Sequence, residues 1–150
     1  MAQTPHKRRW LRWFLIGMPV LLAVVFIGLR MMFAVPDGLD LADQKATDAG
    51  LYQVSLTPNA GETTVGPIQQ WTIFVMTPEG TPIDGATVGI DGGMPQHGHG
   101  MPTTPQVTDD LGNGGYLVEG MKFSMGGWWT MKVTVDGPQG LDAVTFNIVL

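Results

Sequence analysis

The chain has 150 residues, eight lysines and arginines against thirteen aspartates and glutamates, and no cysteine. That length gives room for one compact domain, and the missing cysteine excludes disulfides, thiolate zinc sites, iron–sulfur clusters and cysteine nucleophiles, leaving His, Met and carboxylate as possible metal ligands. All thirteen acids follow position 36, where only Lys45, Lys122 and Lys132 oppose them, and so acidic a domain repels phosphate backbones: no nucleic-acid partner is expected.

Residues 1–12 are a basic N-terminal segment carrying Lys7, Arg8, Arg9 and Arg12. The apolar run that follows predicts a transmembrane helix over 13–35, about 34 Å long at 1.5 Å per residue and so sufficient to cross a bilayer core. Arg30 lies near its far end, where a guanidinium can snorkel to the headgroups, and Pro19 predicts a kink or a close contact with another membrane helix. Bases before the span and acids after it put the N-terminus in the cytoplasm and the rest outside a bacterial cytoplasmic membrane, in the periplasm. A cleaved signal peptide shares the basic start. The apolar core is longer than such a peptide carries, however, and no small-x-small cleavage site follows it.

Residues 36–49 are acidic, lack a sustained apolar face and predict a linker or one short helical turn. From residue 50 to 150 short candidate strands alternate with turn residues, over 51–57, 69–77, 86–91, 105–111, 115–121, 128–136 and 142–150. The last two alternate with period two. Trp129, Met131, Val133 and Val135 form one face, and Val144, Phe146, Ile148 and Leu150 the other strand's, with VDGPQGLDAV as the hairpin between them. The expected fold is all-β, an Ig-like antiparallel β-sandwich of about seven strands preceded by one transmembrane helix.

Within that pattern the stretch GGMPQHGHGMP, residues 92–102, holds two of the three histidines of the chain. Prolines and glycines forbid a helix there, so the backbone is extended or turned. In an extended strand His97 and His99 point the same way, with Cα atoms about 6.5–7 Å apart, a gap that two imidazoles close on one ion. Met94 and Met101 flank the pair, and a second segment, GMKFSMGGWW, adds Met121 and Met125 before Trp128 and Trp129. Thioether with imidazole, without thiolate or a carboxylate cluster, favours copper; soft sulfur selects Cu(I), while imidazole serves Cu(II) as well. An indole over the ion would add a cation–π contact. The alternative is a tightly turned loop with Met121, Met125 and Trp129 serving as core residues.

The segments DGGMPQHGHGMPTTP and GYLVEGMKFSMGGWWTMKVTV resemble the FixH/YtkA-like group of bacterial membrane-anchored proteins. The resemblance covers residues 50–150 and one preceding helix. It implies a small exported Ig-like sandwich linked to copper handling and cytochrome oxidase assembly, with His97 and His99 as the first ligands, Met94 and Met101 next, and Met121 and Met125 last. The expected function is thus a non-catalytic copper-binding or copper-delivery protein with a cuproprotein or oxidase as partner. The alternative is an accessory or scaffolding subunit of a membrane complex that binds no metal. No nucleophile beside a base, carboxylate pair or phosphate-binding loop points to catalysis or to a small-molecule substrate.

Overall fold

The computed structural model describes residues 17–28, 30 and 34–150, which divide between Ala34 and Val35 into two compact units. In the first, residues 17–28 form one short helix with exposed apolar side chains, among them Leu21, Leu22 and Phe26. The span expected over 13–35 extends beyond the described residues, and the basic segment 1–12 lies outside them. Among the described residues no helix is long and apolar enough to cross a membrane.

The second unit is built from nine strands: β1 (Gln44–Ala46), β2 (Gln53–Pro58), β3 (Ile68–Met76), β4 (Thr87–Met94), β5 (His99–Gly100), β6 (Gln106–Gly112), β7 (Gly115–Lys122), β8 (Trp128–Gly137) and β9 (Gly140–Val149). They form two antiparallel sheets, ordered β1-β2-β3-β7-β6 and β5-β4-β8-β9. All seven expected strands are present within two or three residues of their expected ends. The count of seven is corrected by two short edge strands. β1, within the stretch read as linker, pairs with β2, while β5 closes back on β4 inside the His/Met segment. Strands of two or three residues carry too little alternation to be seen in sequence.

Alternation explains the layers. In β8, Trp129, Met131, Val133 and Val135 are buried while the residues between them are half-buried or exposed, and Val144 and Phe146 continue the same face on β9. Opposite them lie Val54 and Leu56 of β2, Trp71, Ile73 and Val75 of β3, and Tyr116 and Val118 of β7, all in one continuous core. Burying each such side chain is worth about 1.5–3 kcal/mol, which is why the two sheets stack face to face. The two buried tyrosines keep their polar ends satisfied. Tyr52 Oη donates to the Gly140 carbonyl (2.7 Å) and Tyr116 Oη to that of Ile83 (2.7 Å).

Asp142 fastens the turn after β1 to β9. Its pKa is held below the ordinary 3.8, first by a hydrogen bond with the Thr47 side chain and then by the amides of Ala143, Ala49 and Leu51. A carboxyl whose folded pKa is depressed stabilises the fold above its ordinary value, and that contribution is lost as pH falls through the lowered one. A melting-temperature profile should therefore decline below about pH 4, and Asp142→Asn should be less stable at neutral pH but flatter across that acid window.

Candidate metal centre

GGMPQHGHGM folds as a tight hairpin. The Met94 carbonyl accepts hydrogen bonds from the amides of His97 (3.1 Å) and Gly98 (3.0 Å); Met94 then pairs with His99, and the Met101 amide donates to the Gly92 carbonyl (3.0 Å). Glycine is needed along this edge because neighbours approach the backbone closely. A β-carbon on Gly93 would lie 2.7 Å from the His99 carbonyl oxygen, and one on Gly92 would lie 2.6 Å from the Met131 methyl carbon. The imidazoles meet through a turn rather than along an extended strand, with ring centroids 5.8 Å apart.

Three strands place the surrounding groups. Residues directly opposite on neighbouring strands share a face: Met94 opposes His99, and Gly93 opposes Thr130, so Met94 comes next to Trp129 on the inner face. Met94 and Trp129 are buried, whereas His99 and His97 are exposed at the rim. The His99 ring meets the Trp129 ring in an edge-on contact at 6.0 Å, and Trp129 in turn packs edge-on against Phe123 at 5.3 Å. The Trp129 Nε1–H donates to the Met125 carbonyl (3.1 Å), which ties the turn over 123–127 to this indole.

His99 Nδ1 lies 2.9 Å from the Gly100 carbonyl oxygen. A carbonyl only accepts, so in the neutral ring the proton sits on Nδ1 and the Nε2 lone pair is left for a metal. This is the arrangement that orients imidazole ligands in metal sites generally.

The expected ligands are distributed unevenly. His99 meets both the His97 ring and the Trp129 ring, Met94 is buried opposite His99 in the strand register, Met101 follows on the same hairpin and is half-buried against the core, and Met125 is 41% exposed on the neighbouring turn. Met121 lies on β7 in the other sheet, opposite Gln69 and fully buried. Among the described residues no group of three or more His, Asp or Glu side chains is placed to hold a metal. Any ion bound by the His pair must therefore draw further ligands from thioether sulfur, backbone or solvent; imidazole with thioether is a donor set that copper accepts and that calcium and magnesium, which take oxygen, do not.

Two features escape the sequence. Gly127 is the seat of Met94, since a β-carbon there would come within 2.8 Å of the Met94 methyl carbon; the GG before WW is the sole trace of it. The other is a groove of about 280 Å³ whose lining includes Leu41, Leu56, Trp71, Phe146 and Ile148. Trp71 is buried there with its indole N–H unpartnered.

The fold and this site define a small two-sheet β domain with a His/Met hairpin at its rim. The chain belongs to the YtkA-like family, whose model matches residues 43–134, a stretch that includes the whole hairpin and the turn over 123–127. No curated protein and no solved structure matches the chain.

Proposed function

We propose that this protein captures and hands over copper outside the cytoplasmic membrane, to which it is anchored by its N-terminal apolar segment, in the assembly of a cuproprotein such as cytochrome oxidase. The sandwich is taken as Ig-like and non-catalytic. One observation carries the reading: two imidazoles stand 5.8 Å apart, one of them, His99, against an indole and with a thioether residue opposite it on the adjoining strand. Cu(I) is favoured over Cu(II), because the nearby side chains that can complete a shell are soft thioethers and an aromatic face. A site left open to exchange at the rim suits transfer better than storage. The exposed apolar side chains of the 17–28 helix fit contact with lipid or with another apolar helix.

The test is an anaerobic Cu(I) titration of the full-length protein in detergent against a chromophoric chelator. Binding should be one-to-one and weaken at least about a hundredfold in His97→Ala/His99→Ala, since losing two ligands costs no less than the roughly 10–100-fold lost with a single outer-shell partner of a ligand. Imidazole binds metal only when neutral, so protons compete with the ion for the His pair and affinity should also fall between pH 8 and pH 5.5. Affinity that is flat with pH, or unchanged in the double variant, contradicts the proposal.

The groove at Trp71 favours a second reading, an accessory subunit that docks a partner segment with a hydrogen-bond acceptor for the buried indole N–H. In that case the double histidine variant copurifies with the partner as the parent does, and a Trp71→Phe variant does not.

A further inference from the structure

We infer that Met125 is the entry ligand of the metal centre, the thioether that meets incoming Cu(I) before the His pair receives it; this rests on the copper reading above. Three observations bear on it. Met125 is 41% exposed, so it is open to a ligand arriving from solvent. Its place is nonetheless fixed, because its carbonyl accepts from Trp129 Nε1 (3.1 Å) and the same indole contacts the His99 ring at 6.0 Å. One aromatic side chain thus holds both the backbone of Met125 and the imidazole of His99.

The chain from Met125 to the seat of Met94 is two glycines, the second of which pairs through its backbone with Leu150. Gly126 and Gly127 carry no side chain, and the Met94 methyl packs where a β-carbon of Gly127 would stand. Met125 through its carbonyl and His99 through its ring are therefore both joined to Trp129, and the glycine pair after Met125 seats the buried Met94 that opposes His99. Soft monovalent copper moves between proteins by associative ligand exchange, in which an incoming donor bonds before an outgoing one leaves. Here the Met125 sulfur–copper bond forms as one bond to the carrier breaks, and it gives way in turn to nitrogen of the His pair. No electron is transferred, and with neutral imidazoles no proton is released.

A residue with this role governs rate rather than equilibrium. The test is stopped-flow transfer of Cu(I) from its bicinchoninate complex to the full-length protein in detergent, without oxygen, for the parent and Met125→Leu, which keeps bulk and removes sulfur. Transfer to the variant should be about tenfold slower while the equilibrium affinity stays within about threefold, so that entry and exit slow together. Equal transfer rates would overturn the inference and leave the copper reading standing. An affinity that falls as far as the rate would also overturn it, by making Met125 an ordinary ligand. If the parent takes up no Cu(I), the copper reading fails and this inference with it. Circular dichroism of the variant should match the parent, and Met94→Leu serves as the contrast in which affinity itself drops.

Discussion

Trp129→Ala should destabilise the sandwich by about 3–5 kcal/mol, the range for truncating a large buried aromatic side chain. Trp129 is fully buried, packs edge-on against Phe123 and His99, and anchors the turn over 123–127 through its indole N–H. Alanine removes all of these at once. The cavity would lie where the two sheets meet the His/Met hairpin, so the hairpin should loosen before the rest of the domain. Chemical denaturation followed by far-UV circular dichroism gives the stability. A cost under about 1 kcal/mol would show that the end of the core is not organised around this ring. Trp129→Phe should fall between the two, since it keeps a ring for the packing and loses the donor to Met125.

The second large effect lies at the β6–β7 hairpin. Gly114 has φ +74°, a region that residues with a β-carbon occupy at a cost, and its neighbours leave no room for one: a β-carbon would stand 3.2 Å from the Ile83 nitrogen and closer still to the Val75 carbonyl oxygen. That same backbone is tied in place, with the Gly114 amide donating to Asp84 (2.6 Å) and its carbonyl accepting from the Val75 amide (2.8 Å). Gly114→Val therefore combines a left-handed backbone penalty of about 1–2 kcal/mol with an overpacking cost of about 1–3 kcal/mol. Thermal melting should show the loss as a drop of at least several degrees. A variant that melts with the parent would mean that the turn can shift to a conformation open to any residue.

The strands were legible because their alternation is long and regular: WWTMKVTVD and DAVTFNIVL can bury one face only as strands, and the GPQG between them can only be a turn. The hairpin at residues 92–102 was legible in composition and not in form. Its glycines announced a turn, yet only the pairing of β5 with β4 decides that Met94, and not Met101, stands opposite His99. Long-range adjacency has no local signal. That Met121 falls in the other sheet follows from the β3–β7 register, and that Met125 is tied to Trp129 follows from the sharp turn between them. The groove beside Trp71 depends on β2 and β9 lying across from one another, which periodicity does not specify.

Whether the His/Met hairpin holds copper is decided by copper-edge X-ray absorption on the full-length protein, loaded with Cu(I) and freed of loose metal by desalting. A mixed shell is expected, with imidazole nitrogen showing its characteristic outer-ring scattering and at least one sulfur neighbour, and loss of the imidazole signal in His97→Ala/His99→Ala. A shell of light atoms without imidazole or sulfur, or copper that does not survive desalting, would contradict it.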